Sequence, residues 1–315
     1  MPGGYAHITL VNELKNPTLL DAAGIPPQAG SALLAYFKFC ELGAVSPDYP
    51  AMTLLDPSAR PWADNMHGVR TGDVIKEGVA RVKALQGEKQ RKCVAWLLGY
   101  AAHVVADVIV HPVVILKVGD YDNNPLGHRV CEMNEDTWLF DTKMNLGGLG
   151  LSAYLDSHIG QCCQPSHKNR LDADVKEIWG FMLKKAYPVD WSQNAPNMDQ
   201  WHKNFKKIVG SIASNGDKLW PMARHVTDGL GITYPEPNQV DQQYIAGLKV
   251  PVPAGTAQPY NTIFDRVAAS TLPVWKLIAE GVFKSSTQYL VSIGNWSLNN
   301  GQDQNGKLVF WEVTV

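Results

Sequence analysis

The sequence is poor in charged residues. Only 18% of its 315 residues are charged and 45% are hydrophobic, whereas soluble proteins average about 25% charged residues. This composition excludes a largely disordered chain, which combines high charge with little hydrophobic surface. The length suits one large domain or two ordinary ones and is sufficient to bury a sizeable core.

Neither sign of charge dominates. The 28 basic and 30 acidic residues give a net charge of −2 at pH 7. The composition therefore predicts no strong electrostatic field for nucleic acid or anionic lipid, and it leaves only local patches open.

Cysteine is also scarce. The chain has five cysteines, an odd number, and none of them forms a CxxC pair. This pattern argues against a disulfide framework and against a thiolate zinc site.

Secretion and membrane signals are absent as well. The N-terminal sequence MPGGYAHI has neither a basic nor an apolar segment, so we expect a cytoplasmic protein, with signal-independent secretion as the alternative. One apolar run, residues 93–118, is long enough to cross a membrane. Because it carries His103, Asp107 and His111 and is interrupted by Pro112, we interpret it as the central helix of a soluble protein, not a transmembrane segment.

Helical periodicity is abundant, and strict alternation is rare. The periodicity predicts a mainly α-helical protein with an ordered loop over residues 43–62, a Pro-rich loop or linker over 240–258 and a short β-like end over 307–315. The predicted helices cover residues 6–15, 28–42, 72–85, 92–111, 125–140, 149–159, 173–186, 198–214, 218–230, 260–283 and 286–293.

The apolar helix carries three polar side chains at a fixed spacing. His103, Asp107 and His111 stand at positions i, i+4 and i+8, and each step of four residues advances only about 40° around a helix. All three therefore share one face. Burying them without partners would cost several kcal/mol, and a divalent cation would compensate that cost.

A second pair follows at the same spacing. His128 and Glu132 are one helical turn apart, with Asp136 at the next turn. A histidine and a carboxylate so placed can chelate one ion, with zinc as the first choice and manganese or iron as alternatives. An isolated pair of this kind is more often a surface ion pair. With His7 and His67 added, the combination favours a metal site.

The other histidines, in polar surroundings, are expected at the surface: His158, His167, His202 and His225.

These residues, in this order, resemble the zinc-dependent phospholipases C, whose all-helical fold surrounds a trinuclear zinc site. The single-strand-specific zinc nucleases share the site architecture. One departure is the gap between Asp107 and His111, which is shorter here than in the secreted bacterial toxins of the family. The matching residues are His7, Asp48 in SPDYP, His67 in NMHG, His103, Asp107, His111, His128 and Glu132.

The resemblance implies an all-α, multi-helix bundle around two or three zinc ions. One ion would be held by Asp48, His67, His103 and Asp107. A second would be held by His111, His128 and Glu132. The third would use His7 and share Asp107 as a bridge. The implied domains are a helical metal-binding catalytic domain over residues 1–239, the linker, and a C-terminal helical extension over 259–315, packed on the same domain.

Two further roles come from the same resemblance. Asp48 is either a metal ligand or the general base beside the attacking water, and Tyr49 corresponds to an aromatic that lines the headgroup pocket. Secreted members bind the third ion with an N-terminal tryptophan, which this chain lacks. The amine of Pro2, exposed by removal of Met1, is the replacement that we consider.

The expected activity is zinc-dependent phosphodiester hydrolysis, most directly a phospholipase C reaction on a phospholipid. Closely spaced divalent ions suit this chemistry because they neutralise the phosphoryl oxygens and activate water. Peripheral contact with a membrane would have to come from the main domain. A nuclease or nucleotidase on the same cluster is the alternative, although few basic residues disfavour a nucleic acid partner. An inactive, metal-stabilised binding protein is the third interpretation.

Overall fold

The computed structural model describes residues 3–52, 57–144, 152–215 and 234–311. Over these residues the protein is all-α, as predicted. The helices are α1 Gly4–Leu14, α2 Pro17–Ala22, α3 Pro27–Ala35, α4 Phe37–Val45, α5 Arg60–Gly68, α6 Thr71–Lys83, α7 Gly87–Val118, α8 Pro125–Leu139, α9 Ser152–Ser157, α10 Ala173–Ala186, α11 Pro188–Gln193, α12 Met198–Asn215, α13 Tyr260–Phe283 and α14 Gln288–Ser292.

The remaining elements are short. Two antiparallel hairpins pair β1 Cys163–Gln164 with β2 His167–Leu171 and β3 Leu248–Lys249 with β4 Ala257–Gln258. A π-helical turn, Phe140–Met144, extends α8. The 3₁₀ turns are Ser46–Met52, Tyr121–Asn123, Ile159–Gln161, Pro237–Gln239 and Gln242–Tyr244.

Helix α7 is the centre of the fold. It is apolar and long enough to cross a membrane, but its apolar window is entirely buried inside the protein. Every residue from Cys93 to Val114 is buried, against α3, α4, α6, α10 and α13 among others. This agrees with its interpretation as a core helix. The sequence prediction was wrong about Pro112, because α7 continues through it to Val118; proline removes one backbone donor without ending this helix.

Helices α4 and α7 touch through their backbones. A Cβ on Gly43 would lie 2.0 Å from the Trp96 carbonyl oxygen, and a Cβ on Gly99 would lie 1.9 Å from the Cys40 carbonyl oxygen. Only glycine at both positions permits this approach. The approach brings the end of α4, including the Ala44 carbonyl, against His103 of α7.

Several predicted boundaries were wrong. The predicted helix 28–42 is two helices, broken at Tyr36, where φ is −121° and ψ is 33°. The predicted loop 43–62 is mostly helical, since α4 runs to Val45, a 3₁₀ turn covers Ser46–Met52 and α5 begins at Arg60. The predicted helix 218–230 lies outside the described residues. At the C-terminal end, residues 307–311 form turns with one isolated bridge between Gln302 and Leu308.

The C-terminal part packs on the same core. Trp275 of α13 donates its indole N–H to the Leu98 carbonyl of α7 at 2.8 Å, and Trp311 donates to the Ile109 carbonyl of α7 at 2.9 Å. Between residues 240 and 258 the chain forms a 3₁₀ turn and the β3–β4 hairpin. The division into a catalytic domain, a linker and an extension stays a prediction.

Candidate metal centre

The three polar side chains of α7 face the interior together. His103 and Asp107 are 0% exposed and His111 is 2% exposed. Because α7 is entirely buried from Cys93 to Val114, the partners of these side chains must come from neighbouring elements. Helix α1 supplies His7, the 3₁₀ turn after α4 supplies Asp48, and α5 supplies His67.

Four of the predicted ligands lie close together. The Nε2 atom of His67 lies 3.1 Å from Asp48 Oδ1, 3.6 Å from Asp107 Oδ2 and 3.4 Å from His103 Nε2. The Nε2 atom of His103 lies 3.4 Å from Asp107 Oδ2. A tetrahedral zinc ion with ligands at about 2.0–2.1 Å holds neighbouring ligand atoms about 3.3–3.4 Å apart. Several of these distances are close to that value, and the three side chains of Asp48, His67 and His103 lie close enough together to hold one ion.

Asp107 lies between two groups of histidines. Its Oδ2 faces His67 and His103, while its Oδ1 lies 3.3 Å from His7 Nε2. The His7 and His103 rings stack with their centroids 4.0 Å apart. A carboxylate with one oxygen toward each group has the geometry of a bridging ligand.

Backbone carbonyls occupy the opposite nitrogens of the histidines. His67 Nδ1 donates to the Ala63 carbonyl at 2.7 Å, and His103 Nδ1 donates to the Ala44 carbonyl at 2.9 Å. His111 Nδ1 donates to the Leu298 carbonyl, and His128 Nε2 donates to the Gly119 carbonyl at 2.6 Å. A carbonyl can only accept, so each contact fixes which nitrogen carries the proton. Metal-ligating histidines are characteristically held in this way.

His111, His128 and Glu132 lie in a looser arrangement. The His111 and His128 rings are 6.4 Å apart between centroids. Glu132 is fully buried, with Arg129 Nη1 3.9 Å from its Oε2. Among the described residues the compact ligand sets are confined to His7, His103 and Asp107, and to Asp48, His67 and His103. The assignment of a second ion to His111, His128 and Glu132 stays a prediction.

The cluster contains buried polar atoms that the protein itself does not satisfy. Within the described residues, both nitrogens of His7 and all four carboxylate oxygens of Asp48 and Asp107 lack a hydrogen bond. Such burial is expensive unless something else compensates it. A cation coordinated by these atoms would do so, and the donor set of imidazole and carboxylate is the one that zinc takes.

The charges of the cluster are mutually dependent. Burial would raise the pKa of Asp48 and Asp107, but the adjacent His103 and the other imidazoles beside them lower both pKa values below the ordinary value. Burial would lower the pKa of His103, and the carboxylates of Asp107 and Asp48 raise it. The pKa of His128 falls to about 4, first because of burial. The carboxylates are therefore ionised and His128 is neutral at neutral pH, as metal ligands must be.

Helix α1 is held in place by a buried carboxyl that the sequence analysis left unassigned. Asp136 accepts from the Ala6 backbone N–H at 2.8 Å and from the Tyr234 hydroxyl at 2.9 Å. A Cβ on Gly3 would lie 2.0 Å from its Oδ2, so glycine is needed there. Asp136 thus fixes the start of the helix that carries His7, and it is not a third ligand in line with Glu132. Pro2, whose amine is the predicted ligand of the third ion, lies outside the described residues.

Tyr49 and His202 are packed together in the interior of the protein. Tyr49 is fully buried, its hydroxyl 3.2 Å from His202 Nδ1 and its ring packed on Phe205. A role for Tyr49 toward a headgroup stays a prediction. His202 is 0% exposed, so its expected surface position was wrong. Its position in the amphipathic pattern of α12 was the available signal.

His158 has a partner that no local pattern predicted. Its Nδ1 lies 2.6 Å from Oε2 of the fully buried Glu41. Glu41 also accepts from Asn12 at 2.8 Å and from the Tyr154 hydroxyl at 2.5 Å. Because the four residues come from three separate helices and a turn, only the fold reveals the cluster. His167 is exposed as expected, and His225 lies outside the described residues.

The fold and the site define an all-helical protein with a buried histidine and carboxylate cluster of metal-binding type. A family model described as zinc-dependent phospholipase C matches residues 6–189, which is more than half of the chain. The chain therefore belongs to the zinc-dependent phospholipase C family, a family of hydrolases. No curated protein and no solved structure matches it.

Proposed function

We propose that the protein hydrolyses the phosphodiester bond of a phospholipid and releases the phosphorylated headgroup. The observation that carries this proposal is the buried cluster of His7, Asp48, His67, His103 and Asp107, in which two overlapping sets of three side chains could each hold a metal ion. Family membership supports the class of reaction. The eight side chains predicted from the sequence would hold two to three zinc ions.

Zinc would neutralise the phosphoryl oxygens and lower the pKa of a water molecule. Asp48 is ionised, and its lowered pKa makes it a weak base. These properties favour Asp48 as a ligand that also orients the attacking water, over a role as the main proton acceptor. Burial of the cluster excludes bulk water, which strengthens every electrostatic contact with the phosphate.

The substrate class is tested with a panel. The purified protein is assayed with vesicles of phosphatidylcholine and phosphatidylethanolamine, with single-stranded DNA and with a chromogenic phosphodiester. We expect release of phosphorylated headgroup that stops with a chelator and returns with zinc. Hydrolysis of DNA alone would replace the proposal with a nuclease. Stoichiometric zinc without any turnover would indicate a metal-stabilised binding protein.

The site residues are tested with a matched pair of variants. His103→Asn removes a buried ligand, whereas His167→Asn makes the same change at an exposed position. We expect the first variant to lose bound zinc and turnover and the second to keep both. Asp48→Asn should keep the fold and lower turnover sharply. Full activity in that variant would remove Asp48 from the mechanism.

A further inference from the structure

A segment outside the family match reaches the metal centre. Residues 294–311, which we call the C-terminal strap, follow α14 and lie against α5, α6 and α7. Trp296 exchanges two hydrogen bonds with Thr71, at 2.7 and 2.9 Å. The matched region ends at residue 189, so the family pattern gives no role to the strap.

The backbone of Leu298 connects two predicted metal ligands. Its N–H donates to the His67 carbonyl at 2.8 Å, and its carbonyl accepts from His111 Nδ1. Leu298 itself is fully buried. One peptide segment therefore contacts the main chain of the first ligand and the side chain of the second.

We propose that the Leu298 backbone, within the C-terminal strap, is a positioning element of the metal centre and acts on His111 and His67. A carbonyl oxygen cannot donate, so the proton of neutral His111 resides on Nδ1 and the lone pair on Nε2 points away from the strap. His67 is held through its own backbone carbonyl, which accepts a hydrogen bond from the Leu298 N–H. Contacts of this kind orient ligands, and their loss weakens metal binding about 10–100-fold in known zinc sites.

The strap is seated on the part of α7 that surrounds His111. Gly301 has φ of +72°, and a Cβ there would lie 2.3 Å from the Val108 carbonyl oxygen and 2.5 Å from Pro112 Cγ. The Trp311 indole donates to the Ile109 carbonyl at 2.9 Å. Displacing the strap from this surface would move the Leu298 carbonyl away from His111.

Two glycines of the strap offer a matched test. Gly301→Ala and Gly306→Ala make the same change at similar φ values, +72° and +76°, but a Cβ on Gly306 meets nothing within 4 Å. The readouts are zinc stoichiometry, zinc affinity in competition with a chromophoric chelator, and the visible spectrum of the cobalt-substituted protein. We expect Gly301→Ala to weaken one zinc ion about 10–100-fold and to alter the cobalt spectrum. Gly306→Ala should match the wild type.

A folded Gly301→Ala protein with the zinc affinity of Gly306→Ala would overturn the proposal. If Gly301→Ala does not fold, the proposal is tested by the tautomer of His111 in the unaltered metal-free protein. Nitrogen-15 NMR of the imidazoles measures which nitrogen carries the proton. A proton on Nδ1 supports the proposal, and a proton on Nε2 contradicts it. This inference rests on the proposed metal centre, but different results would refute the inference and the proposed function. Wild-type protein without zinc affinity would refute the proposed function. Normal zinc binding in both variants would refute only the role of the strap.

Discussion

The contact between α4 and α7 predicts that Gly99→Ala disrupts both the core and the metal centre. The new Cβ would lie 1.9 Å from the Cys40 carbonyl oxygen and 2.8 Å from the Ala44 backbone nitrogen. Both are backbone atoms, which cannot rotate away. Ordinary contact begins at 3.4 Å, so the helices must separate by about 1.5 Å. Alanine otherwise favours a helix over glycine by about 1 kcal/mol, but overpacking typically costs about 1–3 kcal/mol.

Separating α4 from α7 would also disturb the hydrogen bond that orients His103. The Ala44 carbonyl that holds His103 Nδ1 at 2.9 Å is on the helix that moves. We therefore expect Gly99→Ala to lower the free energy of unfolding by about 1–3 kcal/mol and to weaken zinc binding. A tenfold loss of affinity would reduce stabilisation by excess zinc by about 1.4 kcal/mol. The assay is thermal unfolding of the metal-free and zinc-saturated protein.

Gly30→Ala is the matched control. It also lies within a helix, α3, but its Cβ would meet only Leu20 Cδ1, at 3.8 Å. It should stabilise the protein by about 0.5–1 kcal/mol, the ordinary gain from replacing a helical glycine. A Gly99→Ala protein as stable as Gly30→Ala, with an unchanged zinc-dependent rise in melting temperature, would refute the reasoning.

Three further predictions concern other parts of the molecule. Glu41→Ala removes the buried carboxylate that accepts from His158, Tyr154 and Asn12 and should lower the free energy of unfolding by about 3 kcal/mol in urea titration. A loss below about 1 kcal/mol would contradict this prediction. Burial raises the pKa of Asp136 to about 7 from 3.8. The native state then binds this proton more tightly than the unfolded state, so stability falls as pH rises from about 4 to about 7. Asp136→Asn should show a shallower fall over this window in parallel denaturation series, and identical slopes would argue against the raised pKa. Val69, two residues after His67, is 55% exposed; Val69→Asp should lower vesicle binding in sedimentation and spare hydrolysis of a soluble phosphodiester, whereas unchanged vesicle binding would exclude this side chain from membrane contact.

The spacing of apolar and polar residues in the sequence correctly predicted the mainly helical class and the helix faces that carry predicted ligands. Spacing alone placed His103, Asp107 and His111 on one helix face, because an α-helix advances a nearly constant angle with each residue. It also predicted α8 and α10 closely, since their periodicity and start signals agree. It failed at Tyr36, where the backbone leaves the helical region, and at Pro112, which α7 passes without ending.

The sequence by itself determined which side chains are able to bind a metal and where most of the helices lie, because those properties reside in side-chain chemistry and in a period of 3.6 residues. The tertiary structure alone decided how the ligands meet and what holds them. Asp48, His67 and His103 converge from three elements, and the carbonyls of Ala44 and Leu298 fix two imidazoles from far along the chain. Backbone carbonyls are the same in every residue, so no sequence pattern marks the ones that orient a ligand.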